Sequence, residues 1–411
     1  MEMSFIYQSS SLLIIMKKSM DSKITIGLFG LGTVGQGLYT LLESEQHNDI
    51  ELIKIAVKNR HKKRAADRGL LTYDRNDILN NEQINTIVEL IDDHEVALEI
   101  VQTALSKGKH VVTANKRMLA HHLPELIKLA RENNVALLYE GSVCGSIPIL
   151  RNIEEYYAHD QINEITGIFN GSSNYILSKM VDEKLTYASA LHQAQENGFA
   201  ESDPSMDVCG WDALFKTIIL NIHAFGIHLN PNALIRSGIQ HLKPEDIIFA
   251  QSRKLSIKPV SRLIKWTDHK LSAIVMPAMI NQGHLLYTVS QENNAVVLDS
   301  DYTDKQLLMG KGAGSLPTGA AVYSDVLALR KQYTYQYRKF ENVNGLALDY
   351  SSSLDIYISH PEKASDDLPL EKVYEQGQIN NINFTIGKIN LSALKNELVT
   401  WESEGYFVAV I

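Results

Sequence analysis

The chain has 411 residues, 45% of them hydrophobic, and a formal net charge of -9. These totals leave room for two or three domains with sizeable cores and argue against global disorder. They also argue against nucleic acid as the main partner, because neutralising phosphates needs a surplus of Lys and Arg. Only two cysteines are present, Cys144 and Cys209, with no paired spacing. That pattern supports neither a disulfide framework nor a structural zinc site and suits a reducing, cytoplasmic compartment.

Residues 1–22 hold one apolar run, Leu12 to Met16, which is too short to span a bilayer. Its positive charges follow the run and no small-residue cleavage pattern comes after it, so a signal peptide is not expected. The segment reads as a loose extension, with Met20 as an alternative start. No other stretch reads as membrane-spanning.

From Lys23 a regular alternation begins. KITIGLF reads as a buried strand, GLGTVGQG gives way to the helical spacing of LYTLLES, and ELIKIAV is a second strand. TIVELI, HVVTA and VALLYE are further apolar runs. Between them lie the amphipathic segments EVALEIVQTALSKG and HHLPELIKLARENN, each closing at Gly or Asn. Such alternation predicts right-handed βαβ units and a doubly wound parallel sheet, a Rossmann-type α/β domain over 23–146.

After SIPIL the texture becomes α+β. Helical spacing from Ile149 (ILRNIEEYYAHD) precedes a strand at INEITGIF, and several helices follow to about His228. Strand-like runs come next: PVSRLIKW, LSAIVMPAMI, HLLYTV and AVVLDS. This predicts a second domain over 147–309 with a mixed or antiparallel sheet. GKGAGSLPTGAAVYSDVLALR returns to a glycine-rich loop feeding a helix, and residues of about 310–340 are expected to complete the first domain. The tail, 344–411, holds LDIYISH, NFTIGKI, NLSALKNELVTWES and YFVAVI, a small strand-helix-strand unit.

Gly30, Gly32 and Gly35 form G-x-G-x-x-G between the first strand and its helix. One glycine makes the tight turn, the next admits a pyrophosphate, and the third lets helix and strand pack closely. The anion then sits on free N–H groups at the helix start. The flanking βαβ pattern supplies the context this motif needs, so a dinucleotide site is expected rather than an ordinary glycine turn. The second strand ends AVKNRHKKR, with Lys58, Arg60, Lys63 and Arg64 and no acid. A cationic cluster suits a ribose 2′-phosphate, so NADP(H) is preferred and NAD(H) stays possible. A basic surface loop is the other reading.

The run AESDPSMDVCGWDALFK places Glu201, Asp203, Asp207 and Asp212 ahead of Lys216. With Asp207 as N-cap, Val208, Trp211, Phe215, Ile218, Ile219 and Ile222 share one helix face. Asp212 and Lys216 fall on its edge four residues apart, where their side chains meet. Two readings stand: a surface ion pair, or a partly desolvated pair in which a lysine handles a proton.

These segments together resemble homoserine dehydrogenases, over roughly Lys23 to Tyr333 and in the same order. FGLGTVGQG resembles the family's cofactor loop, HVVTANK its first catalytic-region motif, and YEGSVCGSIPIL the segment holding a monovalent cation. FNGSSNYILSKM and ENGFAESDPSMDVCGWDALFK resemble the substrate signatures, and GKGAGSLPTGAAV the late glycine loop. The resemblance implies reversible NAD(P)H-dependent reduction of L-aspartate 4-semialdehyde to L-homoserine. It makes Lys216 the proton donor, Lys116 the second active-site lysine near the cofactor, and Asp212 a neighbour of the reacting carbon. Gly198, Glu201, Asp207 and Asp212 would hold the substrate. Thr33 and Val34 would join the glycines at the cofactor, with Gly312 close to the dinucleotide. Glu140, Val143, Gly145 and Ile147 would bind sodium. Residues 147–309 become a substrate-binding and dimerisation domain, the expected assembly is a homodimer, and the tail becomes a small, ACT-like segment.

Several residues keep plainer readings. Lys116 has a plainer reading as a helix-start lysine, Glu140 as a strand end, and Asn170, Ser172, Ser173 and Asn174 as a turn and helix cap. Cys144 and Cys209 read as small apolar fillers, and His121-His122 as surface. The LIDDHEVA segment departs from the family pattern: Asp92 and Asp93 stand where small or hydroxyl residues are common. Two alternatives remain: a non-catalytic NADP-binding regulator of the same fold, and another semialdehyde reductase. An aspartate-semialdehyde dehydrogenase, one example of the latter, needs a cysteine nucleophile to form a thioester, and neither cysteine here has an evident base partner.

Overall fold

The computed structural model describes residues 23–45, 48–64, 66–341, 345–360 and 368–411. The expected extension over 1–22, with the alternative start at Met20, lies outside the described residues, as does Asn344. The chain divides into two compact units. One is Met1–Ser146 with Ala313–Gln336; the other is Ile147–Gly312 with Tyr337–Ile411. Among the described residues no helix is long and apolar enough to cross a membrane.

The first unit carries β1 (Ile24–Phe29), β2 (Ile50–Ala56), β3 (Leu71–Thr72), β4 (Thr86–Glu89), β5 (His110–Thr113) and β6 (Leu137–Leu138). Their order is β3-β2-β1-β4-β5-β6 and every pairing is parallel. The inner strands β1, β4 and β5 form where apolar residues run together, and Ile26, Leu28, Ile87, Val88, Val111 and Val112 are fully buried. The order reverses between β1 and β4, and beside that switch point the strand ends open the crevice where such sheets bind ligands.

The helix Ser315–Arg330, late in the chain, belongs to this unit and crosses the first helix, Thr33–Ser44. Glycines permit the crossing. A Cβ on Gly37 would lie 2.0 Å from the Ser315 carbonyl oxygen, and one on Gly319 would lie 2.8 Å from the Gly37 carbonyl carbon.

The second unit holds β7 (Ile162–Ile168), β8 (Ile235–Arg236), β9 (Leu255–Thr267), β10 (Lys270–Asn281), β11 (Asn293–Ser300) and β12 (Asp304–Lys311). From the tail come β13 (Ala347–Leu348), β14 (Ser353–His360), β15 (Lys372–Ile379), β16 (Ile382–Asn390) and β17 (Phe407–Val410). They make one mixed sheet, ordered β12-β11-β7-β9-β10-β17-β14-β16-β15, with β8 and β13 also on β10. The tail therefore extends this sheet, through the parallel pairing of β17 with β10 at Val410 and Ala278. Ile356, Ile389 and Leu394 of the tail share one apolar cluster with Ile168, Ile274 and Val297.

Three local readings need correction. HLLYTV is a chain of turns, not a strand: Tyr287 N donates to His284 O at 2.9 Å and Val289 N to Leu286 O at 3.1 Å. Leu286 and Val289 are its buried residues, and a spacing of three is a turn period rather than an alternation. The tail has an additional strand, β15, at the sheet edge; its residues are mostly exposed and polar, which hides a strand from apolar patterning. The helix expected from Ile149 is present but ends early: Ile149–Arg151 runs on directly as a π-helix over Asn152–Tyr156 and stops short of Asp160.

The helix crossing makes a stability prediction. Gly37→Ala should lower the free energy of unfolding by about 1–3 kcal/mol through overpacking against backbone. Gly32→Ala, whose Cβ would meet nothing within 4 Å, should stay within about 0.5 kcal/mol. Urea denaturation of the two variants beside wild type checks both.

Candidate active site

In the first unit β1 ends at Phe29 and Gly30 follows with φ 93°. Its N–H donates to Ala56 O at 3.1 Å. A side chain there would collide with the Leu90 carbonyl oxygen at 2.5 Å, and one on Gly35 with the Gly30 carbonyl oxygen at 2.3 Å. Gly32 is the N-cap of Thr33–Ser44 and no side chain caps that helix. Thr33 is exposed and Val34 half-buried. An uncapped helix start beside an open glycine is the environment that accepts a pyrophosphate, so the loop fits a dinucleotide.

Beyond β2, Lys58 and Arg60 are exposed, and the Arg60 guanidinium lies 4.6 Å from the centroid of the Tyr73 ring. The Arg64 guanidinium donates to Asn59 O at 2.7 Å and Lys62 O at 2.9 Å, folding the loop back on itself.

At the end of β4, Glu89 is fully buried. Its carboxyl accepts from Thr113 Oγ1 at 2.6 Å and from Ile91 N at 2.7 Å. Burial dominates and, with a smaller contribution from Asp92, pushes its pKa up to about 7. Thr113 Oγ1 also accepts from Asn115 N at 3.0 Å, and Asn115 Nδ2 donates to Ile91 O at 3.1 Å. Asn115 caps the helix Lys116–Glu132 by accepting from Met118 N at 3.1 Å, which sets the half-buried Lys116 at its first position. Asp93 serves the structure as the cap of His94–Ser106, accepting from Glu95 N and Val96 N at 3.1 and 3.2 Å.

Glu140 follows β6 and is buried, with its N–H donating to Asp325 Oδ2 at 2.8 Å. Val143 and Ile147 are buried too, and Cys144 and Gly145 both take left-handed backbone at φ 55°. Cys144 is buried and Cys209 half-buried, both unbridged, and His122 lies 3.6 Å from Glu125 on its helix surface.

The second unit gathers the acid-lysine group around the junction of β7 with the helix Gly171–Asp182. Lys216 Nζ donates to Asp212 Oδ2 at 2.8 Å and to the Phe169 carbonyl at 2.7 Å. Asn170 Nδ2 donates to Asp212 Oδ2 at 2.9 Å and to Asp207 Oδ1 at 2.7 Å. Lys216 and Asp212 are only 7% and 5% exposed, which rules out the surface-pair reading.

Asp207 is not the cap of the lysine helix. That helix is Trp211–Phe225, its N-cap is Gly210 at φ 82°, and Asp207 and Val208 lie on a separate short turn, Ser205–Val208. The left-handed glycine breaks the run and turns Asp207 toward Asn170. Nor is there a polar edge: all residues after Trp211 are buried, so the acid and the lysine are enclosed.

Gly198, at φ 74°, and Glu201 are exposed; between them Ala200 is buried and the Phe199 carbonyl accepts from Ser172 Oγ, and the Glu201 main-chain oxygen accepts from Gln195 Nε2 at 2.9 Å. Gly312 follows β12. Asn170 was legible as a cap, and it is one, accepting from Ser173 N at 2.7 Å. Its second role, clamping two carboxylates, is absent from any local pattern. Asn294, which donates to Phe169 O at 3.0 Å, carried no sequence signal at all.

A doubly wound parallel sheet with this glycine loop defines a dinucleotide-binding protein. Comparison with known proteins gives the family. Residues 30–140 match the model for the homoserine dehydrogenase NAD-binding domain, and residues 148–327 the model for homoserine dehydrogenase. The homoserine dehydrogenase of Bacillus subtilis is 35% identical over 317 residues, covering 75% of this chain and 73% of that protein. The crystal structure of a homoserine dehydrogenase from Thiobacillus denitrificans aligns with TM-score 0.84 at 27% identity, covering 94% of this chain and 97% of that one. A hyperthermophilic archaeal homoserine dehydrogenase mutant, solved in complex with NADPH, aligns with TM-score 0.65 at 25% identity over 76% of this chain and 99% of its own. This chain belongs to the homoserine dehydrogenase family, NAD(P)-dependent oxidoreductases that interconvert L-aspartate 4-semialdehyde and L-homoserine.

Glu89 makes a pH prediction. Its pKa is raised from the usual 4.5 to about 7 in the folded chain. Between those values the unfolded chain has lost a proton that the folded chain keeps, so stability falls as pH rises. The loss should total about 3 kcal/mol by pH 8. Urea denaturation at pH 5 and pH 8 should show it in wild type, and Glu89→Gln should flatten the difference.

Proposed function

We propose that Lys216 is the proton donor and acceptor of the reaction, and that Asp212 orients it. The observation that carries this reading is the enclosed triad of Lys216, Asp212 and the Phe169 carbonyl. Two of the three ammonium N–H groups are used there, and the third has no partner among the described residues, so it is available to an oxygen on a substrate. In the reducing direction charge grows on the aldehyde oxygen. A fixed ammonium stabilises that charge and then supplies its proton. A bound nicotinamide cofactor supplies the hydride.

Asp207, beside Asp212 through Asn170, gives the group a second carboxylate suited to a substrate ammonium. Glu201, exposed and close to Gly198 in the chain, is assigned the same role. Lys116 is assigned to the cofactor side of the reaction, a position consistent with its place at a helix start after β5.

Gly30, Gly32, Thr33, Val34 and Gly35 are the proposed pyrophosphate loop. Exposed Lys58 and Arg60, at the strand end where ribose is held, favour NADP(H). The archaeal relative solved with NADPH supports the same preference. Sodium is proposed at Glu140, Val143, Gly145 and Ile147. A buried carboxylate on a backbone that curls through two left-handed residues offers the oxygen donors a hard cation takes. A homodimer and a cytoplasmic location complete the proposal.

The test is NADPH formation from L-homoserine followed by absorbance. Lys216→Ala should lose about 10²- to 10⁴-fold in kcat and keep its circular dichroism and its NADPH affinity. Turnover near wild type would remove Lys216 from the chemistry. For cofactor choice, Lys58→Glu with Arg60→Glu should raise KM for NADP about tenfold or more while changing KM for NAD little. Equal changes for both cofactors would make these residues an ordinary basic loop.

A further inference from the structure

We infer that Asn294 is a positioning residue for Lys216, and that Gly312 is a glycine because Asn294 occupies the space its side chain would need. The inference rests on the reading of Lys216 as the proton donor.

Asn294 lies at the start of β11 and is fully buried. Its Nδ2 donates at 3.0 Å to the Phe169 carbonyl, the oxygen that accepts from Lys216 Nζ at 2.7 Å. A carbonyl only accepts, so the amide nitrogen must face it and the orientation of the Asn294 side chain is settled. Two donors on one oxygen hold that carbonyl from two sides. With Asp212, it then restricts the lysine to one direction. The other end of the amide is the informative one: Asn294 Oδ1 is buried without a hydrogen-bond partner among the described residues. An orphaned buried acceptor is costly, so stability alone would favour an apolar residue of the same shape. The asparagine is retained for its donor.

Gly312 packs on the same amide. Its backbone is not left-handed, so its conformation does not call for glycine. A Cβ there would fall 2.0 Å from Asn294 Cγ and 2.2 Å from both terminal atoms of the amide. The space of the missing side chain is filled by Asn294. This accounts for the glycine without a dinucleotide.

The test uses the full-length enzyme with L-homoserine and NADP. Asn294→Leu, close to isosteric, removes the donor and the orphaned acceptor together. It should lower kcat about tenfold or more, leave KM for homoserine and NADP within about twofold, and leave the thermal midpoint unchanged or raised. Gly312→Ala should reproduce the kcat loss with KM for NADP unchanged, and should add nothing in an Asn294→Ala background. If Asn294→Leu does not fold, Asn294→Ala is read for the same split between kcat and KM. Normal kcat in these variants beside an inactive Lys216→Ala overturns the inference and leaves the role of Lys216 standing. An active Lys216→Ala overturns the underlying reading instead. A lowered midpoint with normal kcat makes Asn294 merely structural, and a raised KM for NADP in Gly312→Ala in both backgrounds returns that glycine to the cofactor.

Discussion

The buried polar group of the second unit answers to one constraint: an ammonium and a carboxylate, Lys216 and Asp212, are held out of water. Desolvating two charges costs several kcal/mol each, and their attraction offsets this only when hydrogen bonds occupy the remaining donors and lone pairs. The surroundings supply them. Asn170 donates to the carboxylate, Phe169 offers its carbonyl to the lysine, and Asn294 holds that carbonyl. The helix that carries the pair is buried along its length, and a left-handed glycine bounds it at each end, Gly210 and Gly226. At the second of these a Cβ would meet the Lys339 carbonyl oxygen at 2.0 Å, so the helix end is fixed by backbone contact. A charged pair that cannot move or solvate is aimed in one direction, the arrangement that the proposed proton transfer demands.

The first unit solves a different problem, letting backbone come close to an anion. Here the useful groups are N–H bonds at an uncapped helix start, and the device is the absence of side chains at Gly30, Gly32 and Gly35. Beneath the same sheet end, Glu89 joins the loop after β4 to the helix start after β5, through Ile91, Thr113 and Asn115. A carboxyl with its pKa raised to about 7 changes charge near neutral pH.

The parts of the fold that could be read in advance were those with a dominant local cause. Apolar runs became β1, β4 and β5, ELIKIAV with its Lys54 became β2, and the tail segments LDIYISH and NFTIGKI became β14 and β16. The strand missed, β15, is an exposed edge whose polar residues carry no burial signal. The strand wrongly expected, HLLYTV, is apolar because Leu286 and Val289 plug the core from a turn. Asp before an apolar run is a sound capping signal, but at Asp207 the left-handed Gly210 overrides it three residues later.

The amino-acid sequence by itself determined the glycine loop, the alternation that builds a parallel sheet, and the spacing that makes Asp212 and Lys216 touch. These depend on residues a few positions apart, or on backbone conformations that only glycine tolerates. The tertiary structure decided how deeply that pair is buried and which groups surround it. Asn170 is separated from Asp212 by 42 residues, and Asn294 from Phe169 by 125. Hydrogen bonds across such distances follow from sheet order and helix placement, and they leave no periodicity in the chain. Burial, which separates an enclosed ion pair from a surface one, is a property of the whole packed unit and has no local code.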